Sequence, residues 1–126
     1  MTARVVDVVD RLPRALVRTE GIAAASAAIA LYVHLGFPWW LFLALALAPD
    51  LSTLGYLRGP RVGAATYDIA HTYALPFGLA TVGVLTGANA AVEVGLIWLT
   101  HIGVDRAVGY GLKYPTSFND THLQRI

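Results

Sequence analysis

Three aspartates and two histidines stand out in a chain that carries few charges: Asp50, Asp68, His71, His101 and Asp105. Asp68 and His71 are spaced i,i+3 and His101 and Asp105 i,i+4, so on helices each imidazole shares a face with its carboxylate. Neutral imidazole with carboxylate is a ligand set for Zn, Mn or Fe(II) that needs no sulfur, and the chain has no cysteine. Asp50, His71, His101 and Asp105 are the expected metal ligands. A divalent ion would neutralise carboxylates that cannot all stay ionised together at low dielectric. Two other neutralisations are open: ion pairing with Arg58, Arg61 or Arg106, and protonation of the carboxyls. Two histidines at one depth are also a pattern for haem, which the neighbouring aspartates disfavour.

The elements that must position these groups follow from composition. Of 126 residues, 56% are hydrophobic and 13% charged, about half the ~25% charged share of a soluble domain. A small soluble domain needs more polar surface than this. Disorder and a disulfide scaffold are excluded by the same counts, and a net charge of +1 argues against nucleic acid as a partner. The tract from Gly21 to Pro49 holds no Asp, Glu, Lys or Arg and is too long for one span of about 20 residues. Gly36, Phe37 and Pro38 divide it. The expected fold is all-α: a single-domain integral membrane four-helix bundle with spans at about 17–35, 38–57, 62–84 and 89–110. A short interfacial helix over 1–16, with Val5, Val9, Leu12 and Leu16 on one face, precedes it as an uncleaved anchor, and a tail over 111–126 follows.

With four spans, all nine Lys and Arg fall on one side of the membrane, which places both termini in the cytoplasm. Phe37, Trp39 and Trp40 suit the outer interface, and Tyr56, Tyr110 and Tyr114 the inner one. The alanines of the first span and the Gly83–Gly87 spacing favour tight packing and a homo-oligomer through a self-association face.

Counting along straight helices puts the carboxylates about 10 Å and the imidazoles about 15 Å from the cytoplasmic boundary, in two stacked layers. Pro49 cannot donate to the carbonyl of Leu45, nor Pro76 to that of Thr72, so backbone oxygens should be free near the cluster. The expected chemistry is hydrolysis by a metal-activated water, with Asp68 as fifth ligand or base and Arg106 or Lys113 holding an anionic lipid headgroup or phosphate. Redox chemistry at iron or manganese uses the same ligands. The alternatives are a cation or proton relay, and a non-catalytic accessory protein whose cluster fixes helix packing.

Pro49-Asp50-Leu51-Ser52 through Gly55-Tyr56, His71-Thr72-Tyr73, and His101-Ile102-Gly103-Val104-Asp105-Arg106 with Gly109-Tyr110-Gly111-Leu112-Lys113-Tyr114 resemble the domain of unknown function 4260 family, as do Phe118 and Thr121-His122-Leu123. The resemblance runs from about Arg18 onward. It implies a small multi-pass protein of the bacterial cytoplasmic membrane, with membrane lipid around it and no activity to carry over. It also implies that Asp50, His71, His101, Asp105, Arg106 and His122 occupy signature positions. Asp68 departs from the pattern, where Asn is more usual. The added weight on His122 suggests a tail folded under the bundle, bringing Asp120 or His122 to the cytoplasmic mouth.

Overall fold

A computed structural model describes residues 2–126, with side chains from Asp7 onward; Met1 and the side chain of Val5, named above, lie outside the described residues. The chain is all-helical, and among the described residues there is no strand, only an isolated bridge between Lys113 and Thr121. Helix α1 runs Thr2–His34 without a break. The stretch expected as a separate interfacial helix is instead the beginning of α1. Pro13 sits inside it, in a segment exposed enough for water to meet the carbonyl that proline leaves free. Gly36, in the left-handed region at φ +73°, turns the chain out of α1.

The second expected span is built from two pieces. Helix α2 covers Trp39–Leu45, and a 3-10 helix covers Ala48–Arg58. Pro49 removes the donor that would continue α-winding past Leu45. The hydroxyls of Ser52 and Thr53 then donate to the carbonyls of Pro49 and Asp50, each three residues back, at 2.7 Å. Such contacts favour the tighter winding, which seldom persists beyond three or four residues. The third expected span is also divided: α3 over Pro60–Ala70 and α4 over Ala74–Thr86, with His71, Thr72 and Tyr73 between. Pro76 lies in the first turn of α4, where its missing N–H would have no helical partner anyway, so it begins a helix where a kink was expected. Helix α5 covers Asn89–Val108 and ends at Gly109, at φ +105°. The tail closes with the single turn α6, His122–Arg125.

Helix α5 is the centre of the packing: α1, α4 and α2 lie against it, while the 3-10 helix packs on α3. Small residues let α1 approach. A Cβ on Gly103 would stand 2.6 Å from the Gly21 carbonyl oxygen and 2.7 Å from the Ala25 nitrogen, both rigid backbone atoms. Gly103→Ala is therefore expected to destabilise the protein by about 1–3 kcal/mol, the usual cost of overpacking. Gly78, on α4, would point a Cβ into open space. Thermal unfolding in detergent should show a clear drop in midpoint for Gly103→Ala and none for Gly78→Ala. Gly83 is covered by Val92, and Gly87 terminates α4 at φ +72°, so that pair is used within the chain.

Among the described residues, three helical stretches are long and apolar enough to cross a membrane: Asp7–His34, Trp39–Arg58 and Pro60–Thr86. Helix α5 has the length of a span but carries Glu93, Asp105 and Arg106. Leu57, Leu85 and Leu47 are 85%, 79% and 71% exposed, which suits contact with lipid and not with water.

Candidate metal centre

Asp50, from the 3-10 helix, His71, just past α3, and His101 and Asp105, on α5, converge. One donor atom from each lies within 4.8 Å of the others. The two Nε2 atoms are 3.2 Å apart. Asp50 Oδ1 is 3.3 Å from the His71 Nε2 and 3.1 Å from the His101 Nε2. Asp105 Oδ2 is 3.3 Å from both. Donors held about 2.0–2.1 Å from a tetrahedral ion stand roughly 3.3 Å apart, so these spacings fit the first coordination sphere of one small divalent cation. The two imidazoles are 0% and 5% exposed, the Asp105 side chain 18% and the Asp50 side chain 47%, so the cluster opens on the Asp50 side.

The ring orientations are fixed from behind. His71 donates Nδ1–H to the Tyr67 carbonyl at 2.8 Å, and His101 donates Nδ1–H to the Ala46 carbonyl at 2.6 Å. Each neutral ring thus presents its unprotonated Nε2 to the same point, the arrangement that a metal-binding histidine needs from its outer partner. Both carbonyls are available because winding fails nearby: α2 stops at Leu45, and α3 stops at Ala70. The freed oxygen that matters is thus one residue beyond the expected Leu45. The carbonyls at the other break are also taken, Ala70 by Trp98 Nε1–H at 2.5 Å and His71 by Arg106 at 2.6 Å.

Tyr67 was not among the sequence candidates. Its ring stacks on His71 at 3.7 Å, its carbonyl takes the His71 proton, and its hydroxyl reaches Asp105 Oδ2 at 3.5 Å. Its position four residues before His71 was the available signal. The two stacked layers expected from helical rise are merged into one cluster, since Asp50 stands in a 3-10 helix and His71 beyond the end of an α-helix.

The family model described as domain of unknown function (DUF4260) matches residues 14–126. The chain belongs to the DUF4260 family. No curated protein and no solved structure matches it.

The remaining candidates of this DUF4260 chain stand apart from the four donors. Asp68 accepts the Lys113 backbone N–H at 2.6 Å. Arg106, 3% exposed, donates to the carbonyls of His71 and Tyr110. Lys113, 4% exposed, donates Nζ–H to the Phe118 carbonyl at 2.6 Å and lies over the Phe118 and Tyr67 rings. His122 accepts the Leu112 N–H on Nδ1 at 2.7 Å. These groups fasten the tail: Thr121 and Leu123 are buried, and Arg14 of α1 donates to the Leu123 carbonyl at 2.8 Å.

His122 makes this fastening sensitive to pH. Burial, followed by the Arg106 charge, holds its imidazole below the ordinary 6.5, and a protonated ring could no longer accept from Leu112. Its folded-state value is depressed, so its stabilisation is present above 6.5 and is lost as pH falls through that value and on through the folded one. Asp120, held at about 2 by Arg125 and then Thr116, stays ionised throughout. Proteolysis between Tyr114 and Asp120 should accelerate several-fold between pH 7.5 and 5.5. His122→Asn, which keeps an acceptor that does not titrate, should flatten the profile; an equal acceleration in that variant would remove His122 from the explanation.

Proposed function

We propose that this protein is a four-span membrane protein, with both termini cytoplasmic, that binds one divalent metal ion through Asp50, His71, His101 and Asp105. The observation that carries the reading is the pair of Nε2 atoms 3.2 Å apart, each with its Nδ1–H given to a carbonyl. Two second protons on those rings would point into the same space, whereas a single cation there meets four donors. Two neutral imidazoles, two carboxylates and one divalent ion also sum to zero charge, which a low-dielectric interior requires. The donors are nitrogen and oxygen only, a set suited to Zn, Mn or Fe(II). Four donors at tetrahedral spacing fill the sphere, so an ion held here would have to expand to a fifth position on the exposed Asp50 side to supply an activated water or a Lewis acid. Hydrolysis of a lipid or phosphorylated substrate is the reaction we assign. Asp50, the most exposed donor, borders the place where substrate would enter.

Asp68 and Arg106, the proposed base and anion-holding group, are committed to the Lys113 N–H and to carbonyls, so their part in this reading is to position the tail and the His71 segment. Elemental analysis of gently purified protein tests the reading: about one Zn, Mn or Fe per chain is expected. Protein that is metal-free, and that added metal neither binds nor stabilises, would overturn it. Orientation is tested on the naturally cysteine-free chain with Ser117→Cys, which should react with an impermeant thiol reagent only from the cytoplasmic side.

A further inference from the structure

The metal donors border a pocket of about 230 Å³, whose floor is formed by Asp50, His101 and Asp105 and whose walls include Phe42, Leu47 and Val104. Leu47 and Val104, at the rim, are 71% and 46% exposed. They lie on Trp39–Arg58, one of the stretches apolar enough to cross a membrane, and on the helix packed beside it, so in the four-span reading this rim meets lipid. The side of the cluster on which Tyr67 stacks is covered. Phe118 packs edge-on against Tyr56 and Tyr67, the Lys113 ammonium fills the space between Tyr67 and Phe118, and His71 is fully buried behind Tyr67.

Polar ligand atoms at the bottom of an apolar slot opening sideways suit a molecule that is polar at one end and apolar along the rest. A small soluble anion gains nothing from the walls. We propose that the centre takes a single-chain lipid amphiphile from the bilayer, its anionic oxygen directed to the metal beside Asp50 and its chain lying along Phe42, Leu47 and Val104. This rests on the metal reading and narrows it to a substrate class and a route of entry. The volume favours one chain over two, and the opening lies toward the reservoir in which such molecules are dissolved.

The test uses full-length protein loaded with Co(II), whose visible spectrum reports its ligands, with dodecanoate and acetate as probes that share a carboxylate and differ in the chain. Dodecanoate is expected to change the spectrum at a concentration at least 10-fold below that needed for acetate. Val104→Trp and Leu47→Trp, which fill the slot from two different elements, should each erase the preference while Co(II) stoichiometry stays at that of the parent. Leu85→Trp, on exposed surface elsewhere, should keep it, which shows that a surface tryptophan alone does not erase the preference; simple partitioning of dodecanoate into detergent would leave it intact in the blocking variants as well. Equal potency of the two carboxylates, or a preference that survives both blocking substitutions, overturns the lateral route and leaves the metal site standing. Failure of the parent to hold Co(II) overturns both. The two blocking positions are exposed and apolar, and retained Co(II) stoichiometry in either one is sufficient evidence of folding for the comparison.

Discussion

His101→Ala is expected to lose divalent metal binding by at least about 100-fold, and His71→Ala equally. Changes to outer partners of metal-bound histidines alone cost about 10–100-fold, and here a donor itself is removed. The effect has a second readout in stability. A metal at about 100 times its dissociation constant stabilises the folded state by roughly 2.7 kcal/mol, so the parent should show a marked rise in thermal midpoint on adding Zn, Mn or Fe(II), and the variants none. His71 is fully buried, and its replacement also leaves a cavity. Asp50→Asn is the cleaner companion, because the side chain keeps its shape, is 47% exposed and loses only its charge. Metal-dependent stabilisation that persists in both His101→Ala and Asp50→Asn would exclude this cluster as the binding site.

Arg106→Ala is expected to destabilise the protein by about 3–5 kcal/mol, since two carbonyls each lose a charged donor. Its guanidinium joins the carbonyl of His71, in the break between α3 and α4, to that of Tyr110, just beyond α5. Without it two carbonyls with strong partners lose them, and hydrogen bonds to charged groups contribute about 1.5–3 kcal/mol each. Arg106→Lys should recover little, since an ammonium lacks the planar fork that serves two acceptors. Because the His71 backbone is one of those acceptors, metal affinity should fall about 10-fold along with stability. The measurements are denaturation in detergent and metal titration on the same preparations. Unchanged stability with a loss confined to substrate affinity would show instead that Arg106 holds a substrate anion.

The residues that meet at the centre were legible in the sequence because their constraints are local. His101 and Asp105 share a face by spacing alone, and Pro49 marks the place where winding changes beside Asp50. Their common depth was misjudged because a rise of 1.5 Å per residue applies to α-helix, whereas Asp50 lies in a 3-10 helix and His71 after a terminus. The same break shifted the useful carbonyl from Leu45 to Ala46. Asp68 and Arg106 were assigned to chemistry because nothing periodic announces their partners. The Lys113 N–H lies 45 residues from Asp68, and the His71 carbonyl 35 from Arg106, in irregular backbone. Tyr67 was overlooked because an aromatic residue in an apolar helix looks like packing until its ring is found stacked on His71.

The four donors are contributed by three separate parts of the chain, and the last two, His101 and Asp105, lie after all the others. During translation Asp50 and His71 leave the ribosome well before their partners, and two donors hold an ion far more weakly than four. On the metal reading, capture of a cation would therefore wait until α5 has docked against its neighbours. In the proposed metal-bound state the ion would therefore close the assembly last, and a chain ending before residue 101 would lack half of the donors.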